Sequence, residues 1–526
     1  MSPRDHASGD GPIFGDGPKT TEPDPLSAAA PPGLGRNTVF ALLAQLTTGI
    51  FTAVLTLYLV RKLGPDDFGL FALALGIGNL ALLVADFGLL HSAARFIAEN
   101  RGDREATAAL IRDAVRLKLL TGALVAASLF AAAGPIASAY DQPDLAWPLR
   151  GMALALFAES VMTLFLSVFI AVGRIAVNLR IIFVESMIET VASIALVALG
   201  AGAVGATFGR AVGYGFGALL ALWIVVRFFG RSAVGLLGPG GGRAGVLARY
   251  AAPLFVTNSA YTLYSQVDIL LIGALLGTSA VGFFAAPLRL AIPLGYVGQA
   301  VANSVAPRQA RTARGEAGVA AFEASLRWLV IFQAALLAPL IVWTEPIVRL
   351  LLGPEFLDSV GVLRLLSLYI FLRGLGPLIT TTVNYLGQAA RRIPIVVTAL
   401  VINVVIDLIL LPRIGVVGAA IGTGVAYAVY VPAHFIVCRH ELGLAVRPLA
   451  VSFARAAFAA VAMGAVLLAF GTERLSAAEW VLGGAAGALA FGGALLVTGE
   501  ISASEVRSGL RVVASGLSRL RPFVVR

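Results

Sequence analysis

Cysteine is nearly absent. Cys438 is the single one in 526 residues, which excludes a disulfide within the chain and any cysteine-based metal cluster. Charge is scarce too: 13% of residues carry it, against roughly 25% in soluble domains. With 58% hydrophobic residues and a mean hydropathy of +0.89, such a chain belongs in a bilayer. The four histidines, His6, His91, His434 and His440, fall in the N-terminal stretch, in a loop or near the end of an apolar run, and show no metal-ligand spacing. Neither a Walker-type phosphate loop nor a nucleophile elbow occurs. An enzyme or an ATP-driven pump is therefore without support, and no cofactor or metal is expected. The net charge of +10 would suggest nucleic acid in a soluble protein, but its distribution along this chain points to membrane orientation, and no nucleic-acid partner is expected.

What the chain does have is repetition. LGPDDFGLFALAL from Leu63 and LGTSAVGFFAAPL from Leu276 share Leu-Gly, a second Gly five residues on, and Phe-Ala, at an offset of 213 residues. GAVGATFGRAVGY from Gly202 and GVVGAAIGTGVAY from Gly415 match at the same offset. Two independent blocks on one register indicate a duplicated unit covering most of the protein.

Apolar runs long enough to span hydrocarbon fall into two sets of six, followed by two near Ala454–Phe470 and Trp480–Thr498 that have no repeat partner. The expected fold is all-α, a polytopic membrane protein with about 14 transmembrane helices: two six-helix lobes related by a pseudo-two-fold along the membrane normal, plus two C-terminal helices. Residues 1–35 read as a disordered cytoplasmic tail without a signal peptide, 36–228 as the N-lobe, 229–249 as a cytoplasmic strap, 250–440 as the C-lobe, 441–498 as helices 13 and 14, and 499–526 as a basic cytoplasmic tail.

Every second connection is basic. Arg95, Arg101, Arg104, Arg112, Arg116 and Lys118 crowd one, and Arg227, Arg231, Arg243 and Arg249 another, whereas the alternate set holds only Arg61, Lys62, Arg150, Arg349, Arg413 and Arg474. Because Lys and Arg are retained on the cytoplasmic side, both termini read as cytoplasmic and the protein as multi-pass in the cell membrane. Each Leu-Gly frame then forms the external turn between the first two helices of a lobe.

Charges inside spans are the informative ones, each costing about 2.5–3.5 kcal/mol at a helix centre if left to lipid. The arginines are Arg210, Arg289, Arg364 and Arg373, and the acids Asp86, Glu159, Glu185, Glu189, Asp268, Glu345 and Asp407. Asp268 and Arg289 flank the Leu276 turn at similar depth, and Glu345 and Arg364 bracket the LGPEF turn. Structural ion pairs are the favoured reading for both, with cavity lining as the alternative. Arg210 stands where the second repeat has Thr423, so the scaffold does not require a charge there. Arg373 is out of phase with Arg364 on its helix. Each either lines a central cavity or makes a buried pair. Glu185 and Glu189 share a helix face at i, i+4 and suit a proton relay, or else pair structurally with Arg180 or Arg210. Glu159 is a third candidate for ion coupling, and Asp86 is interfacial.

The LYLVRKLGPDDFGLFALA turn, DFGLLHSAARFIAE, VDILLIGALLGTSAVGFFAAPLRL and GVVGAAIGTGVAY resemble the superfamily that groups multidrug extruders with oligosaccharide-lipid flippases, and in particular its polysaccharide flippase branch. The resemblance runs from about Gly35 to Cys438. It implies a two-lobed transporter with a V-shaped cavity that alternates its opening. Such a transporter moves a polyprenyl-diphosphate-linked sugar unit to the outer leaflet for lipopolysaccharide or exopolysaccharide synthesis, with H+ or Na+ coupling and with polysaccharide polymerase and glycosyltransferases as partners. Arg210 and Arg373, with Arg289 next, become candidates for the diphosphate, since guanidinium binds phosphate through paired charge-assisted hydrogen bonds. A drug/cation antiporter on the same fold, and a non-transporting scaffold of a glycan assembly complex, are the rival readings.

Overall fold

The computed structural model describes residues 34–100, 102–235, 242, 244–312, 315–502, 504, 505 and 507. Most of the N-terminal tail, the centre of the 229–249 strap and nearly all of the basic C-terminal tail lie outside the described residues. The described residues form helices and turns, with no strand among them. The helices are α1 (Leu34–Asp86), α2 (Leu89–Glu99), α3 (Arg104–Ala139), α4 (Ala146–Ala171), α5 (Ile175–Ala198), α6 (Gly202–Phe229), α7 (Ala244–Leu276), α8 (Thr278–Thr312), α9 (Glu316–Val342), α10 (Thr344–Leu351), α11 (Ser359–Tyr385), α12 (Arg392–Ile414), α13 (Val416–Leu442), α14 (Val446–Ala469) and α15 (Ala477–Val497).

Among the described residues thirteen helical segments are long and apolar enough to cross a membrane, where about 14 were expected. The difference lies in the first. Leu43–Glu99 runs for 57 residues, more than twice the roughly 20 a bilayer needs. It holds two expected spans, joined at Gly64 in a non-helical conformation (φ 70°, ψ −179°). The packing shows that the chain doubles back there. Gly49 touches Tyr296 in the middle of α8, Gly69 touches Thr278 at the start of α8, and Gly88 touches Ala251 near the start of α7.

The repeated glycines share a positive φ. Gly277, 213 residues after Gly64, has φ 86°, and the pair Gly202 and Gly415 that opens α6 and α13 has φ 52° and 65°. A side chain is strained in that left-handed region, which is why the frame is written with Gly each time. Gly69 and Gly282 serve a different end. A Cβ on Gly69 would run into the backbone carbonyl of Thr278, and one on Gly282 into that of Pro65. Pro65 and Thr278 are themselves repeat partners, so the two frames pack reciprocally. Ser279 donates to Asp66, again its own repeat partner. Around this seam Phe68 packs edge-on to Phe356 at 6.4 Å, and Arg61 donates to the carbonyls of Leu350 and Leu351 at the end of α10.

Within the first repeat α6 packs on α4 and α5, and α3 on α4. Within the second, α11 packs on α8 and α13, and α12 on α13, while α14 and α15 attach through α9. At the end opposite the glycine seam, α2 and the second arm of α1 meet α7: Phe87 packs on Phe255 at 4.9 Å, and Ser92 Oγ donates to Leu247 O at 2.9 Å. Large apolar side chains cover the outside, Leu199 at 83% and Val497 at 88% exposure among them, as a lipid-facing surface requires. The chain is a multi-pass membrane protein.

Candidate functional site

Between the glycine seam and the α2/α7 contact lies a cavity of about 470 Å³, whose polar lining includes Asn79, Asp86, Thr163, Tyr261, Gln266 and Arg392. Its walls come from both repeats, α1 and α4 on one side, α7 and α12 on the other. Three groups of charged or polar side chains surround the centre of the molecule.

The first lies within the N-terminal repeat. Arg210 on α6 donates from Nη1 to Glu189 on α5 at 2.8 Å and from Nη2 to Glu159 on α4 at 3.3 Å. The Tyr214 hydroxyl accepts a third bond at 3.0 Å. Arg210 is therefore a half-buried bridge between three helices, not an unattached guanidinium. The i, i+4 relay is likewise divided: Glu189 is tied to Arg210, while buried Glu185 accepts from Ser186 at 2.9 Å. Of the two structural partners considered for these carboxylates, the one found is Arg210. Asp86 is held by buried Lys118 at 2.5 Å.

The second group is cationic. Arg289 on α8 is half-buried against the rings of Phe68 and Phe71, at 5.9 and 5.2 Å, and has no carboxylate partner among the described residues. The expected Asp268–Arg289 pair is not formed. The two side chains leave their helices in different directions, Arg289 across the seam to Phe68 and Phe71 and Asp268 to Thr423 of α13. The Glu345–Arg364 pair is not formed either. α10 breaks from α9 at Trp343, so Glu345 meets Arg349 one turn on, at 2.7 Å, and Arg364 is exposed on α11. Arg373, also half-buried, donates to the Tyr369 hydroxyl at 2.5 Å and lies alongside Gly295 of α8, with no carboxylate partner among the described residues.

The third group is one the sequence reading missed. Asp268 on α7, Asn403 and Asp407 on α12 and Thr423 on α13 are all buried, at 8, 0, 0 and 5% exposure. Thr423 donates to Asp268 Oδ2 at 2.5 Å, and Asp407 and Asn403 stand beside Asp268. Gly422 makes the room, since Asp407 Oδ1 occupies the position a Cβ would fill. Among the described residues, Asp268 Oδ1, both Asp407 oxygens and both polar atoms of the Asn403 amide find no hydrogen-bond partner. Two adjacent buried carboxylates are costly unless they share a proton or a cation lies between them. Carboxylate, amide and hydroxyl oxygens form the donor set of a hard cation. The legible signal was the i, i+4 spacing of Asn403 and Asp407 inside a span. Asn403 escaped notice because it carries no charge.

The repeat relates the first and third groups. Arg210 occupies the position of Thr423, so where the second repeat leaves a space lined by oxygens, the first places a guanidinium between carboxylates.

A family model described as "Polysaccharide biosynthesis protein" matches residues 34–312, more than half of the chain. A curated protein of Haloferax volcanii, "Probable low-salt glycan biosynthesis flippase Agl15", is 25% identical over 384 residues, covering 72% of this chain and 77% of its own. Among solved structures, a lipid II flippase MurJ in an inward closed conformation superposes with a TM-score of 0.71 at 13% identity, over 86% of this chain and 98% of its own. An inward-facing multidrug resistance MATE family transporter of the MOP superfamily gives 0.62 at 15% identity, over 76% and 98%. These similar proteins are named as flippases and transporters, none as a catalyst. With the fold of that superfamily and a family match across the whole first repeat, the chain belongs to the polysaccharide biosynthesis protein family, as a flippase-type membrane transporter.

Proposed function

We propose that this transporter carries a polyprenyl-diphosphate-linked oligosaccharide across the cell membrane, gripping the diphosphate with Arg289 and Arg373 and coupling the movement to Na+ in the Asp268, Asn403, Asp407 and Thr423 pocket. The observation that carries the reading is the pair of intramembrane guanidiniums held by rings and a phenol in place of carboxylates. Each would cost about 2.5–3.5 kcal/mol at a helix centre if left to lipid. An anionic headgroup supplies the missing countercharge, and a diphosphate matches the planar donor fork. The same two charges repel a cationic drug, which disfavours the antiporter reading although the MATE-like fold is compatible with it. The name of the Haloferax volcanii relative supports a glycan-linked cargo.

Within this proposal two assignments differ from the sequence expectation. Arg210, already shared between Glu159 and Glu189, is reserved for holding the first repeat together. Ion coupling moves from Glu159, Glu185 and Glu189 to the second repeat, because an exchangeable cation needs unoccupied oxygens. Four oxygen-bearing side chains suit Na+ better than a proton, which one carboxylate would satisfy. The basic alternate loops support cytoplasmic termini, so loading takes place from the cytoplasmic side.

Complementation of a flippase-deficient strain, with protein levels followed on blots, tests the headgroup site. Arg373→Ala and Arg289→Ala are expected to abolish surface glycan. Arg→Lys at either position, which keeps charge but loses the fork, is expected to retain part of it. Full activity of both Ala variants, alone and combined, would refute the assignment.

A further inference from the structure

A continuous stack of phenols runs from the oxygen pocket of the second repeat to Arg373, and each of its ends is attached to a residue with a role in the proposed transport. Tyr264 stands one turn from Asp268 on α7, and Tyr427 one turn from Thr423 on α13. Their rings stack at 5.6 Å, and Tyr430 closes the group at 6.2 Å from Tyr264 and 5.4 Å from Tyr427. Tyr427 then meets Tyr369 edge-on, at 4.5 Å and 84°, and the Tyr369 hydroxyl is the acceptor for Arg373. All four rings are buried, none more than 6% exposed, so they are not themselves a surface for cargo. Among the described residues the Tyr264 hydroxyl has no hydrogen-bond partner.

We infer that this stack transmits the occupancy of the oxygen pocket to Arg373, making Tyr369 and Tyr427 positioning residues that couple the cation to the diphosphate. The inference rests on the transport reading above. With the pocket empty, Asp268 and Asp407 repel; a cation draws the oxygens of α7, α12 and α13 together. Tyr264 and Tyr427 sit one turn away on two of those helices, so they move with them. Close-packed rings shift between discrete arrangements and do not deform continuously, so the displacement passes edge-to-face into Tyr369 and reorients the guanidinium it holds. The coupling is reciprocal: the diphosphate must change the affinity for Na+ by the factor by which Na+ changes that for the diphosphate.

The test uses the full chain in lipid nanodiscs, with polyprenyl diphosphate lacking any sugar as the probe. Its dissociation constant is measured in NaCl and in N-methylglucamine chloride at equal ionic strength, and Na+ affinity is measured separately. In the wild type the two constants are expected to differ by about 5- to 150-fold, the usual range for coupled sites. Tyr369→Phe keeps the ring and removes only the hydroxyl, and is expected to bring that factor to within about twofold of one while Na+ affinity without the lipid is unchanged. Tyr427→Leu, which removes the stack, is expected to do the same. A wild-type factor retained in both variants overturns the inference. A wild type that binds both ligands with a factor of one overturns the coupling alone. A wild type that binds no polyprenyl diphosphate at any Na+ concentration defeats the transport reading and the coupling with it.

Discussion

Substituting Gly69 or Gly282 by Ala tests whether the glycine seam is the closed outer gate. Neither added Cβ has room, since each would lie on the carbonyl of the opposing repeat's turn, a backbone group that no rotamer change can move. The lobes must separate there or the turn must deform. Overpacking of this kind costs about 1–3 kcal/mol, which falls on the state with the seam closed and not on one with it open. At 1.4 kcal/mol per tenfold, the open-to-closed ratio should rise roughly 5- to 150-fold. Ala285 is a suitable reporter, because it lies about one turn along α8 from Gly282 on the same face and is 1% exposed. With Cys438 as the only native thiol, an Ala285→Cys, Cys438→Ser background provides a single label site. The rate of modification by a membrane-impermeant maleimide added outside whole cells should increase by that factor in Gly69→Ala and in Gly282→Ala. An unchanged rate in both, with normal protein levels, would show that the seam does not open in transport.

Arg210→Ala leaves the half-buried Glu159 and Glu189 without their shared cation, and loss of one partner costs up to about 3–5 kcal/mol for a fully buried bridge and less for this partly exposed one; a drop in thermal stability in detergent is expected, whereas a stable, inactive variant would place Arg210 on the substrate instead. Asp407→Asn removes one carboxylate from the oxygen pocket at nearly constant volume. Transport in vesicles should become insensitive to an imposed Na+ gradient, and persistence of that dependence would send ion coupling back to Glu185 and Glu189.

Much of the fold was legible in the sequence because it depends on one-dimensional quantities. Hydropathy and length marked the spans, basic loops suggested their orientation, and the 213-residue offset identified Gly64 with Gly277 and Gly202 with Gly415, which the structure then shows to share a positive φ. The glycine frames could be recognised because a left-handed residue and a backbone-to-backbone contact each demand the one amino acid without a Cβ. The boundary expected at Gly64 appears as a non-helical residue between the two arms of α1, whereas hydropathy did not mark the break at Trp343 between α9 and α10.

The site was legible by residue type but not by partner. Arg210, Arg289, Arg373 and Asp268 stood out as charges in apolar runs, yet Arg210 proved to be a bridge, Asp268 joined an oxygen pocket, and Glu345 turned to its own helix neighbour. Sequence determines how deep a side chain sits along a helix. It does not determine the direction in which the side chain leaves, because a helix apolar on all sides has no polar face to orient it, and lipid tails are as apolar as the leucines of the interior. That rotation is decided by packing of whole helices, at places such as Gly422, where a missing Cβ lets Asp407 approach α13. The oxygen-lined pocket and the tyrosine stack exist only once α7, α11, α12 and α13 are brought together, and only the tertiary structure decided that.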